Sequence, residues 1–158
     1  MEERCAMATQ KLEFSLRLRH DTEDLILVTR QLGFSAHAGW DRGEQNRTLG
    51  GSLQEGIRSS SYRSFAFGIA TSTDMDDALS VCLKKLTPFT AVLQSFVSSG
   101  GMASLAVAWF CDSAVGGDRI PAGIIAEMAQ LNLTLDLYLY LTPESSTKTE
   151  LLETRERE

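Results

Sequence analysis

Leu12-Glu13-Phe14-Ser15-Leu16-Arg17-Leu18-Arg19 is the stretch that decides the fold. Large apolar side chains hold every even position and polar ones every odd position. That period of two makes a strand with one buried and one exposed face. A second stretch of the same kind lies far along the chain, where Leu133, Leu135, Leu137, Leu139 and Leu141 alternate with Thr134, Asp136, Tyr138 and Tyr140. The two segments call for a sheet with one covered face, and the intervening residues must supply the cover.

Helix and strand signals alternate between them. Asp21-Thr22-Glu23-Asp24 supplies a cap and acids for the positive end of a helix. Leu25, Val28, Thr29 and Leu32 follow at helical spacing, and Gly33 ends the helix. A short strand is expected at His37–Trp40. Residues 41–61 hold four glycines and few large apolar side chains, which predicts a long loop that is mobile or hides short strands. Tyr62–Ile69 reads as an aromatic-rich strand. Asp74, Asp76 and Asp77 open a helix with the inward stripe Met75, Leu79, Cys82, Leu83 and Leu86. Thr87-Pro88 then starts a second helix, or a kinked continuation, that ends at Ser99-Gly100-Gly101. Leu105–Cys111, almost wholly apolar, reads as a central strand covered on both faces. Pro121 opens a last helix through Ile124, Ile125, Met128 and Leu131, stopped by Asn132.

The order is β-α-β-β-α-β-α-β, an α+β fold. Its first six elements match a ferredoxin-like β-α-β-β-α-β core, extended by a C-terminal α-β unit. A mainly antiparallel or mixed sheet with helices on one face is expected. The chain divides into a flexible arm at 1–11, one domain at 12–141 and a charged, disordered or frayed tail at 142–158.

Composition excludes several function classes. The chain has 158 residues, 43% apolar and 23% charged, with a net charge of −6 and a pI near 5.0. That balance fits one soluble domain and no nucleic-acid partner. The longest nearly uncharged apolar run, 102–111, is about half of the ~20 residues that a membrane helix needs, so no membrane partner is expected. Met1-Glu2-Glu3-Arg4 is not expected to begin a secretory leader. Cys5, Cys82 and Cys111 show no disulfide or zinc spacing. A reducing cytoplasm is the expected compartment.

Nucleotide-binding, nucleophile-elbow and metalloprotease motifs are all missing from the sequence. His20, His37, Asp41 and Glu44 are the sharpest metal or acid–base candidates. If the strands ending at His20 and starting at His37 are parallel, their histidines stand on opposite rims. The two then read as exposed loop residues, and no metal or cofactor is expected. Arginines carry more weight. Arg17 and Arg19 share the outward face of the first strand, and Arg42, Arg47, Arg58 and Arg63 punctuate the loop. Folded together, they would bind a carboxylate or phosphate in a forked geometry. The alternative is a surface salt-bridged to Glu13, Glu44, Glu55 and Asp136. Tyr138 and Tyr140, outward on the last strand, suit either a partner contact or cover by the loop or tail.

The opening strand ending at His20-Asp21, the helix closed at Leu32-Gly33, Trp40 with Gly43-Glu44, and the Ser99-Gly100-Gly101 step into Leu105–Phe110 resemble one bacterial family. With the closing run from Ile120 to Leu135-Asp136-Leu137-Tyr138, the likeness to DUF4279 spans roughly residues 12–141. The resemblance implies the fold and brings no activity, cofactor or catalytic residue.

Three functions stay open. The first is a non-enzymatic binding protein that self-associates through its sheet, making a homo-oligomer. The second is a small-anion-binding regulator or enzyme, with its site between strand 12–19 and the 41–63 loop. The third is an immunity-type protein that blocks a protein partner. A concave pocket lined by Arg17, Arg19 and loop residues would favour the second, and a flat face bearing the tyrosines would favour the first.

Overall fold

The computed structural model describes residues 10–48, 50–72, 74–111 and 118–141. In chain order the elements are β1 (Gln10–His20), α1 (Ile26–Leu32), β2 (Ala38–Trp40), β3 (Gln45–Arg47), β4 (Leu53–Ile57) and β5 (Ser61–Ser72). They continue with α2 (Met75–Leu86), a 3-10 turn at Thr87–Phe89, α3 (Thr90–Ser98), β6 (Met102–Cys111), α4 (Ala122–Gln130) and β7 (Thr134–Leu141). The main sheet has five strands in the order β2-β5-β1-β6-β7, and β3 pairs with β4 alone. β1 is antiparallel to both β5 and β6, and β2 is antiparallel to β5. β6 and β7 run parallel, which requires a crossover, and α4 provides it. The fold is therefore α+β with a mixed sheet, as expected.

β1 sits at the centre because it can bury one face completely. Leu12, Leu16 and Leu18 are 0% exposed and join Phe65, Leu105, Val107 and Trp109 of neighbouring strands in one core. Each such side chain contributes about 1.5–3 kcal/mol by leaving water. Leu25, Val28 and Leu32 around α1, Leu79, Leu83 and Leu86 of α2, Leu93 and Phe96 of α3, and Ile124 and Met128 of α4 belong to the same cluster. Every helix thus lies on one side of the sheet.

The helix boundaries follow from local chemistry. Asp24 Oδ1 accepts the Ile26 N–H at 3.0 Å, and Gly33 ends α1 in the left-handed region at φ 68°. Asp118, remote in sequence, accepts the Met75 N–H at the start of α2. α4 closes at Asn132, which adopts φ 52°. The Thr87-Pro88 signal becomes a 3-10 turn that separates α2 from α3. Against β1, β5 carries a bulge opposite the Phe14/Ser15 step, and Gly68 there takes φ 103°.

Two expectations change, and one alternative is settled. β1 begins at Gln10, two residues before the clean alternation starts. The 41–61 segment does hide short strands: Gly43 N–H bonds Arg58 C=O and Arg58 N–H bonds Glu44 C=O, and this ribbon continues into the β3–β4 pair. Every residue of β4 is exposed, so no apolar alternation marks it. β6 is covered by helices on one face only. Residues 1–9 and 142–158, including Cys5 and the charged tail, lie outside the described residues. Among the described residues no helix is long and apolar enough to cross a membrane.

Candidate functional site

On the side away from the helices, adjacent strands present mainly small side chains at their centre. Ser15 stands beside Ala66 on β5 and Ala106 on β6, and Arg17 beside Ser64 and Ser104. Larger groups stand around this floor, and the face is hollow rather than flat. One hollow of about 420 Å³ is bounded by Glu13, Arg17, His37, Tyr62, Phe110 and Tyr140. A second of about 420 Å³ is bounded by Arg17, Arg19, Tyr62, Ser104, Thr134 and Asp136 among others. Both fall in the roughly 300–1,000 Å³ range of small-molecule sites.

Arg17 borders both hollows. Its Nη1 donates to Tyr138 Oη at 2.7 Å, and its guanidinium carbon lies 4.8 Å from the centre of the Tyr138 ring. The pair spans β6 and accounts for Ala106 being only 2% exposed on a face without helices. Arg17 Nε is buried and has no hydrogen-bond partner. Tyr140 stacks on Phe110 at 4.9 Å, with Lys11 Nζ 4.8 Å above the Phe110 ring. Lys11 also pairs with Glu13 at 2.8 Å.

Arg19 borders the second hollow, and the four arginines Arg42, Arg47, Arg58 and Arg63 line neither. Arg19 pairs with Asp21 at 3.0 Å. Arg63, next to Tyr62 and so on the opposite side of β5, pairs with Asp41 at 2.6 Å and donates to the Trp40 and Tyr62 carbonyls. Arg58 lies 4.1 Å over the Trp40 ring, which stacks on Tyr62 at 4.4 Å. Arg58 also donates to the Arg47 carbonyl, and Arg47 to the Gly51 carbonyl. Arg42 is exposed beside Asp41 and Arg58 in an open cleft at the ribbon's base. The ribbon borders neither sheet hollow. Salt bridges to Glu44, Glu55 and Asp136 do not form among the described residues. Glu44 Oε1 instead accepts the Asp41 N–H.

His20 is a correction. It is 3% exposed, not a loop residue in solvent. Its Nδ1 accepts the Thr22 and Glu23 N–H groups at 3.2 and 3.0 Å. That leaves Nε2 to carry the proton toward the Ser99 carbonyl at 3.2 Å. The ring ties the turn after β1 to the end of α3. His37 is exposed and donates its N–H to the Ser64 carbonyl, level with the middle of β1. The four candidates His20, His37, Asp41 and Glu44 are not brought together, and among the described residues no three His, Cys, Asp or Glu groups converge.

The match to a family model settles descent. DUF4279, a domain of unknown function, matches residues 10–142. The chain belongs to the DUF4279 family. No curated protein and no solved structure matches it.

Two more features of this DUF4279 domain bear on function. β7 is an edge strand that exposes side chains on both faces, with Leu137 at 41%, Tyr138 at 40%, Leu139 at 57% and Leu141 at 60%. Cys82 is buried on α2, and burial pushes its thiol up to about 11, with Lys85 pulling the other way. Such a thiol is unreactive at neutral pH. Sequence reasoning missed the Arg17–Tyr138 bridge because its members are 121 residues apart. The signal that was there is the set of small residues at outward positions of three strands.

Proposed function

We propose that this DUF4279 protein is a non-enzymatic binding protein of the bacterial cytoplasm that works as a homodimer. The sheet order β2-β5-β1-β6, with antiparallel neighbours throughout, supports reading its frame as ferredoxin-like. The reading rests on one observation: β7 is the last strand of the sheet among the described residues, and it is long, apolar on one face and almost uncharged. An edge of this kind is a template for another strand unless it is blocked.

A second copy is the occupant that the strand's own pattern fits. A two-fold axis through Tyr138, at the middle of 135–141, sets Leu137 against Leu139 of the second copy and Leu135 against its Leu141. It also sets Asp136 against Tyr140. The two Asp136 residues, the only charges on the strand, then stand four rungs apart, about 13 Å. A register centred on Asp136 would set them side by side and is disfavoured. The helix-free face would not serve as the joint, because its small-residue floor is recessed below Arg17, Tyr62 and Phe110. Pairing at the edge leaves that face open in a ten-stranded sheet. Sedimentation across a dilution series from 200 to 2 µM tests the reading. A dimer that Leu139→Lys converts to a folded monomer is expected, and a wild type that stays monomeric at 200 µM contradicts it.

The anion-binding regulator is favoured by a separate observation, the concave face lined by Arg17 and Arg19. It leads to a more specific reading.

A further inference from the structure

The hollow between β1 and β7 holds two charged groups of opposite sign that have no salt-bridge partner among the described residues. On one wall is Arg17. Its Nη1 is held by Tyr138, and Nε has no hydrogen-bond partner. No acid pairs with it among the described residues. On the other wall is Asp136, half-buried, which makes no ion pair or side-chain hydrogen bond there. Ser104, Thr134 and Asn132 line the same hollow and supply neutral donors and acceptors. Arg19 also lines it but is already paired with Asp21.

An unsatisfied buried N–H on a charged group is costly, and a guanidinium fixed at one terminal nitrogen keeps the neighbouring edge for a second partner. That edge, Nε with Nη2, is the one that meets a carboxylate with two parallel hydrogen bonds. A carboxylate drawing the guanidinium slightly off the sheet would satisfy both nitrogens. Charge decides what else the ligand carries. A phosphate dianion would face only one free guanidinium and would be repelled by Asp136. A ligand with a cationic group next to its carboxylate neutralises both walls.

We propose that this hollow binds a small zwitterion of the α-amino-acid type, with its carboxylate on Arg17 and its ammonium on Asp136. The site lies between β1 and β7, away from the 41–61 ribbon, and does not depend on dimer formation. Arg17 serves as the carboxylate fork, Tyr138 as its positioning residue, and Asp136 as the ammonium acceptor.

The test is calorimetric titration and thermal melting of the full chain. Probes are glycine, leucine, phenylalanine, glutamate and lysine at up to 10 mM, each also in N-acetyl and carboxamide form, with inorganic phosphate beside them. At least one free amino acid is expected to bind and raise the melting temperature by several degrees. Its N-acetyl and carboxamide forms are expected to bind at least tenfold more weakly. Arg17→Lys keeps the charge but loses the fork and should weaken binding at least tenfold with an unchanged circular dichroism spectrum. Asp136→Asn, at a partly exposed site, should weaken the free amino acid and erase its advantage over the N-acetyl form. The proposal is overturned if no free amino acid binds the folded wild type. It is also overturned if phosphate or the acetylated probes bind as tightly, or if both variants bind like wild type. Light scattering of Arg17→Lys, unchanged in mass, separates this outcome from any failure of the dimer reading.

Discussion

The two edges of this sheet are built on opposite principles. The β2 edge is three residues long and passes at once into the exposed β3–β4 ribbon. Arg63 ties it down by donating to the Trp40 and Tyr62 carbonyls and pairing with Asp41. Arg58, Trp40 and Tyr62 stack beside it. The β7 edge is eight residues long, carries one charge and exposes leucines and tyrosines on its two faces. Short strands, charged side chains and covering segments are the devices that keep edges from pairing. The β2 edge uses such devices, and among the described residues the β7 edge shows almost none. The contrast supports β7 as the edge proposed to pair with a second copy.

The largest effect should follow from giving β7 what β2 already has. Leu137→Lys with Leu139→Lys is expected to weaken self-association about 100-fold, or roughly 3 kcal/mol. Both side chains are already exposed, so the monomer's melting temperature should hardly move. Ala38→Lys at the other edge should leave association as it is, and sedimentation compares the two directly. Equal weakening by both substitutions would erase the distinction between the edges.

Next in size is a break in the protected edge. A Cβ on Gly39 would stand 2.6 Å from the Tyr62 carbonyl oxygen and 2.6 Å from Arg63 Cδ. Gly39→Ala should therefore cost about 1–3 kcal/mol of stability by denaturant unfolding, with no change in association. Arg63→Ala should cost roughly 1–2 kcal/mol, because the Trp40 and Tyr62 carbonyls lose their donor. It should also speed amide exchange in the ribbon and not in β7.

The effect felt only at high pH belongs to the core that both edges share. The Cys82 thiol is raised from 9.0 to about 11 by burial, so the folded state holds its proton more tightly than the unfolded state does. Its contribution to stability is complete below about pH 9 and is lost as pH rises toward 11. Chemical denaturation at intervals from pH 8 to 11 should show that decline, and Cys82→Ala should flatten part of it. Identical slopes in the two proteins would remove Cys82 from the account.

What could be read from the sequence depended on contrast between alternate residues. β1 and β7 are plain because Leu alternates with polar or aromatic groups, and α2 because its apolar stripe repeats at helical spacing. The ribbon was hidden because both sides of β4 are exposed, which leaves no alternation to see. His20 was misread because its shortest contacts are to backbone groups, the Thr22 and Glu23 N–H and the Ser99 carbonyl, which carry no side-chain signature. β6 looked buried on both faces because Ala106 is as apolar as a core residue. What covers that alanine is a guanidinium from β1 resting on a tyrosine from β7. The Arg17 candidate was visible in the sequence, whereas Tyr138 and Asp136 beside it became a site only through the parallel pairing of β6 with β7.

Amide exchange along β7 tests the central contrast most directly. Alternate N–H groups of Thr134–Leu141 point away from β6 and pair with no strand among the described residues. Pairing with a second copy predicts that these amides exchange slowly at 200 µM and quickly on dilution below the dissociation constant, with no change at β2. Fast exchange at every concentration would contradict the assignment of β7 as the joining edge.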